Sequence, residues 1–155
     1  MTSLPFEALI RYTIGDVHPP LFYILLWTWV RIVGDAQAQL RLFTVVLSVI
    51  GTLGMFFLAR RWLGARAGAF AASLFAFSPM LFVYSLEVRM YMLSIVVFIG
   101  LLTMHRVVAI EGHESKRNLL GLSVFGALLF YVHYIAVFIL LGVFVDWMVI
   151  SRLAP

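Results

Sequence analysis

The stretch LRLFTVVLSVIGTLGMFFLARR, from Leu40 to Arg61, decides the fold. Its apolar run, Leu40–Ala59, matches the roughly 20 residues an α-helix needs to cross the hydrocarbon core of a bilayer. Arg60 and Arg61 close it where headgroups would lie. Working outward, a second crossing is expected over 67–84, after the turn Leu63-Gly64-Ala65-Arg66. Ser78-Pro79 should kink or end it, because proline lacks the N–H and crowds the preceding turn. A third is expected over 91–109, leading into the polar loop Glu111–Asn118. Two more, over 119–132 and 135–150, meet at His133-Tyr134 and read as a hairpin. Their lengths give roughly 21 and 24 Å at 1.5 Å per residue.

The segment 20–33 differs. It is too short to cross, it is rich in Phe22, Tyr23, Trp27 and Trp29, and it carries Arg31. That is the character of an interfacial amphipathic helix lying on the membrane surface. Pro19 and Pro20 suit its start, where the missing N–H groups cost nothing. The expected fold is all-α: one module over 1–155, a polytopic transmembrane helix bundle of about five spans plus one interfacial helix.

Composition agrees. Hydrophobic residues make up 64% and charged residues 12% of the chain, against about 45–50% and 25% in a soluble domain. A water-soluble fold cannot hide that much apolar surface, and no separate soluble domain fits. The net charge of +4 does not point to nucleic acid, because the basic residues fall in short clusters between apolar runs. Absence of cysteine excludes disulfides and thiolate metal sites. Met1 to Arg11 has no basic n-region and no long apolar run, so it does not read as a signal peptide.

Orientation follows from the basic residues. With 40–59 entering from outside, Arg60, Arg61, Arg66, Arg106, Lys116, Arg117 and Arg152 fall on the cytoplasmic side. Arg11, Arg31, Arg41 and Arg89 fall on the other, which fits the positive-inside rule. Under this topology Asp16, His18, Asp35, Gln37, Gln39, Arg41, Ser85, Glu87, Arg89 and His133 collect at one membrane face. Polar groups gathered at one depth mark a site facing water or an anionic headgroup; residues of wet loops would also be polar, and Asp35, Gln37 and Gln39 read most simply that way. His105 and His113 fall at the opposite face and read as loop residues.

Tyr84-Ser-Leu-Glu-Val-Arg-Met-Tyr91 carries most of the signal. If Ser85 caps a helix beginning after it, Glu87 lies in the first turn, where the dipole favours an anion, and Arg89 where it disfavours a cation. Tyr84, Glu87 and Tyr91 then share a face and Arg89 points away, in need of a partner. A phosphate near that helix N-terminus would satisfy both the guanidinium and the free N–H groups; a salt bridge to another helix or to a lipid headgroup is the plainer alternative. Asp16-Val-His18-Pro19-Pro20 places a carboxylate and an imidazole before a rigid helix start. His133, between Tyr131 and Tyr134 across the break, reads as a donor to the site or as a packing histidine.

Taken in order, Asp16-Val-His-Pro-Pro-Leu-Phe-Tyr23, Gly34-Asp35, Leu40-Arg41-Leu42, Arg60-Arg61-Trp-Leu-Gly64, Ser78-Pro79, Tyr84–Tyr91 and Tyr131-Val-His-Tyr134 resemble the N-terminal membrane module of the GT-C glycosyltransferases. The resemblance is strongest to the protein-mannosyltransferase-like and aminoarabinose-transferase-like enzymes. It implies transfer of a sugar, with inversion, from a polyprenyl-phosphate carrier to a glycan, lipid or protein acceptor in the cell envelope. The place implied is the extracytoplasmic face of the inner or plasma membrane. Asp16 and Glu87 are the catalytic candidates it suggests, with His18, Arg41, Arg89, Tyr91 and His133 binding the donor phosphate; Glu87 would orient Arg89 or touch the sugar. No protein ligand set for a metal is implied, and a divalent metal is left open.

Related enzymes also place a transmembrane helix and an acidic loop before the Asp16 motif, where this chain has 15 residues containing only Glu7 as a carboxylate. They continue through further helices beyond five. The chain is therefore expected to be a fragment that acts with a partner chain or a missing C-terminal region. A non-catalytic subunit that binds polyprenyl phosphate or membrane lipids is the alternative function. A small transporter ranks last, because its polar groups should lie at the midplane.

Overall fold

The structure, a computed structural model, describes residues 19–153. Every regular element among them is helical. In chain order these are α1 (Leu21–Val33), α2 (Gln37–Leu63), α3 (Ala65–Ala76), α4 (Pro79–Leu86), α5 (Tyr91–His105) with a π-helical turn over Arg106–Ile110, α6 (Lys116–Val132) and α7 (Ala136–Leu153).

Helix α2 extends the expected run at both ends to 27 residues, about 40 Å at 1.5 Å per residue. Only 28% of its most apolar window is buried inside the protein. Val49, Leu53 and Phe57 face outward, each about half exposed. A helix that is apolar on its outer face as well as its inner one is solvated by lipid, not by water. Two helical stretches, α2 and Tyr91–Ile110, are long and apolar enough to cross a bilayer, or three when α3 and α4 count as one bent span. Helices α1 and α7 are shorter apolar helices, and α6 does not reach that length and apolarity either. Five full-length crossings are thus not what these lengths give.

The connections explain the bundle. Gly64, at φ +89°, is the only residue between α2 and α3 and donates its N–H to Arg60 O at 2.9 Å. The left-handed region it occupies is one that glycine enters without penalty. Helix α3 then returns along α2 so closely that Gly68 is buried against the Phe56 carbonyl. Pro79 opens α4 at a bend of 59°, the break Ser78-Pro79 announces. At the far end, His133 is extended (φ −154°, ψ 132°) and ends α6, and its Nδ1 accepts from the Ile135 N–H at 3.2 Å. Leu119 and Leu122 near the start of α6 share a cavity wall with Val143 and Trp147 of α7, and Gly126 faces Leu140. The two helices therefore run back alongside each other.

Helix α1 covers one end of this bundle. Its Phe22 is 2% exposed and meets Phe43 of α2 at 5.9 Å between ring centroids. Trp29 donates its indole N–H to Gln39 O at 2.9 Å. Gly34, at φ +113°, turns the chain from α1 into α2, and a Cβ there would meet Gln39 Oε1 at 2.4 Å. That same oxygen accepts from the Ala36 N–H and so serves the start of α2. The core below α1 joins Phe22, Leu47, Met92, Leu129 and Val132, so four helices meet where the polar end begins.

Candidate functional site

The polar end is assembled around the break between α4 and α5. Thr44 of α2 is fully buried, and its hydroxyl lies 2.8 Å from Ser85 O and 2.9 Å from Arg41 O, sharing one proton between two carbonyls. This contact ties the end of α4 to α2. Ser85 is not a cap, as the sequence suggests; it lies inside α4, buried, and donates its hydroxyl to Phe82 O at 2.7 Å. Helix α5 begins only at Tyr91, with Met90 as N-cap and no side-chain cap. The correction moves Glu87 as well. It is not in a first turn but ends α4 in an extended conformation (φ −86°, ψ 125°).

Tyr84 and Tyr91 consequently belong to different helices, yet their rings meet at 4.9 Å, tilted by 32°. They bracket the four-residue link that carries Arg89. Within it the Arg89 N–H bonds to Glu87 O at 2.8 Å. The guanidinium is exposed to solvent, and it has the partner its position demands. Tyr91, through a side-chain hydrogen bond and its charge, pushes the Arg89 pKa up, and the charges of Glu87 and Tyr23 add to this. The α5 N-terminus follows directly, with its first intrahelical bond from Ser94 N to Met90 O. Backbone donors before that point have no partner within the helix. A cation, a phenol and the start of a helix thus lie together at the link, an arrangement that suits a phosphate.

The other candidates sit around it unequally. Arg41 is exposed in the second turn of α2, and among the described residues no carboxylate pairs with it. His133 is at the same end, half-buried, with Nδ1 committed to the α7 start. Asp35 and Gln37 are exposed, whereas Gln39 is occupied by Ala36 and Trp29. Asp16 and His18 lie outside the described residues. The charge of Tyr23 also acts on Arg89; sequence reading names Tyr23 in the aromatic helix and in the Asp16–Tyr23 stretch but gives it no role. Among the described residues no group of three or more His, Asp or Glu side chains is placed to hold a metal ion.

The opposite end is basic. Arg61 of α2 clamps Glu111 with two hydrogen bonds, one from Nε at 2.7 Å. Arg106 approaches the same carboxylate at 3.2 Å and stacks its guanidinium 5.0 Å from the Trp62 ring. The Arg61 hydrogen bonds, then the charges of Arg61, Arg106 and His113, pull the Glu111 pKa from 4.5 to about 2. A depressed carboxylate contributes stability that is full above its unfolded pKa and lost as pH falls through the folded one. The melting temperature of Glu111→Gln in detergent should therefore lie below that of the parent at neutral pH, and the gap should narrow as pH drops from 4.5 toward 2. A gap independent of pH over that window would show that Glu111 acts by packing alone. His113 is an exposed loop residue near Glu111. His105 is not, and this corrects the sequence reading: it is the last residue of α5 and 5% exposed.

No curated protein and no solved structure matches the chain. A family model does, over residues 17–154, and it is described as dolichyl-phosphate-mannose-protein mannosyltransferase. The match runs from the residue before His18 through α7 and so contains the Arg89 link with His18, Arg41 and His133, while Asp16 lies one residue before it. The chain belongs to this family of membrane glycosyltransferases, within the GT-C superfamily.

Proposed function

We propose that this protein takes part in moving a sugar from a polyprenyl-phosphate carrier to an acceptor at the end of the bundle where Arg89 lies, on the extracytoplasmic face of a cell membrane. The observation that carries the reading is the Arg89 link: an exposed guanidinium beside Tyr91, set just before the α5 N-terminus, in a chain of this family.

In the reaction, an acceptor hydroxyl attacks the anomeric carbon. The bond from that carbon to the phosphate oxygen breaks, the configuration inverts, and polyprenyl phosphate leaves with the electron pair. Arg89 stabilises the charge that grows on the phosphate, and it does so best as a donor already in place. His18 and Arg41 are further phosphate contacts, and Tyr91 fixes the Arg89 head. The acceptor's proton goes to a carboxylate. Glu87 and Asp16 are the candidates, with Glu87 adjacent to Arg89 in the same link. Helix α1, lying over this end, supplies Tyr23 and one wall.

The test is an assay of membranes containing the full chain, supplied with polyprenyl-phosphate-[¹⁴C]mannose. Release of polyprenyl phosphate with label moving to an acceptor fraction is the expected result. Binding of the donor without turnover would replace transfer by a lipid-binding subunit's role, and absence of both would overturn the reading.

A further inference from the structure

A second polar pocket lies at the end of the molecule opposite Arg89. Between the last turn of α2, the π-helical turn that follows α5 and the start of α6 there is a cavity of about 630 Å³. Arg61, His113, Glu114 and Arg117 line it, and Met104 and Val107 give it an apolar wall. Its size falls within the range of pockets that take small ligands.

The loop that forms one side is tied down. The π-helical turn over Arg106–Ile110 closes with Glu111 N–H donating to Arg106 O at 3.0 Å; such turns are uncommon and concentrate at functional sites. Beyond it the His113 N–H donates to Val107 O at 3.0 Å, and the Asn118 side-chain amide donates to His113 O at 2.8 Å. Ser115 caps α6 by accepting from the Asn118 N–H. Arg61 is held as firmly. Glu111 takes its Nε and Nη2 donors, while the side chain stays 43% exposed. A guanidinium carries five N–H donors, so this clamp fixes the group and leaves its Nη1 edge for a second acceptor. Arg117 is exposed, and among the described residues no carboxylate pairs with it. The charge around the pocket is one-sided. Arg60, Arg61, Arg66, Arg106, Lys116 and Arg117 stand at these helix ends against only Glu111 and Glu114, and Glu111 is already shared between Arg61 and Arg106.

We propose that this pocket seats the headgroup phosphate of an anionic phospholipid. Arg61 and Arg117 hold the phosphate oxygens, a task for which the guanidinium fork is suited, and basic pockets between membrane helices are where such headgroups bind. A soluble phosphate would meet the same cations but leave the wall of Met104 and Val107 against water. A lipid covers that wall with its chains, which then continue along the apolar outer face of α2. Glu114 repels an anion in the same pocket, so its removal has a predicted sign. None of this depends on sugar transfer at the Arg89 end, and a negative transfer assay leaves it standing.

The experiment uses the full chain in dodecylmaltoside, titrated with phosphatidylglycerol and followed by its melting temperature, which rises with any ligand that binds the folded state. Phosphatidylglycerol should raise the transition, with phosphatidylcholine of the same chains and inorganic phosphate giving far smaller shifts at equal concentration. Arg117→Gln should weaken the apparent affinity by about tenfold, the scale of one hydrogen bond to a charged group. Glu114→Gln should strengthen it several-fold. Arg66→Gln removes the same charge from the same end but outside the pocket, and should leave the affinity unchanged. All three side chains are exposed, so the variants should fold as the parent does. Equal shifts from the two phospholipids, a loss in Arg66→Gln as large as in Arg117→Gln, or no gain in Glu114→Gln would overturn the site. A shift from inorganic phosphate matching that from phosphatidylglycerol would overturn the lipid as its occupant.

Discussion

Arg89→Ala should lower sugar transfer by about a hundredfold to a thousandfold, the scale for losing one preorganised donor to a developing oxyanion. The protein should still insert and melt as the parent does, because the Arg89 side chain is exposed and no buried contact depends on it. Arg89→Lys should recover only part of the rate, since an ammonium cannot present two parallel donors to a phosphate. Tyr91→Phe leaves the charge in place and removes the phenol that braces it, so a loss of up to about tenfold is expected. The measurement is the initial rate of label transfer at saturating donor, with donor binding determined separately. Transfer at the parent rate by a well-folded Arg89→Ala protein would remove Arg89 from the reaction.

The largest effect on stability is expected at Gly68. A Cβ there would lie 2.8 Å from Phe56 O and 2.9 Å from Arg60 Cβ. The first of these neighbours is backbone and cannot rotate away. Gly68→Leu must therefore push α3 off α2, and overpacking of this kind costs about 1–3 kcal/mol. Gly142 in α7 is the control, because a Cβ there meets nothing within 4 Å. Gly142→Ala should be neutral or stabilise by up to about 1 kcal/mol through helix propensity. Thermal melts of the three proteins in one detergent test the pair; a Gly68→Leu transition equal to that of Gly142→Ala would refute the account.

The helical class was legible because composition and run length leave few alternatives, and local punctuation placed the breaks at Gly64, Ser78-Pro79 and His133. What local signals missed are decisions made by residues far apart in sequence. Ser85 has the residue type and the setting of a cap, yet Thr44 holds the Ser85 carbonyl inside the bundle from 41 positions away, and the helix ends later. The helical face drawn through Tyr84 and Tyr91 does not exist as one helix, although the two rings do meet, because the link between α4 and α5 is short. His105 follows an apolar run and so reads as the start of a loop. Its burial depends on α7, whose Asp146 lies opposite it, and no periodicity within α5 carries that information. In the second half of the chain the helices Lys116–Val132 and Ala136–Leu153 run longer than the stretches 119–132 and 135–150 suggest, yet neither counts as a full-length crossing.

The one-residue turn at Gly64 also bears on the order of assembly. Helices α2 and α3 are joined by the shortest connection in the described chain, so bringing them together closes almost no loop and sacrifices little chain entropy. Their pairing is the most local of the tight helix contacts, and local contacts form early when topology sets the rate. Damage at Gly68 should then appear chiefly as slower folding, whereas damage at Thr44, whose bond spans 41 residues, should appear as faster unfolding.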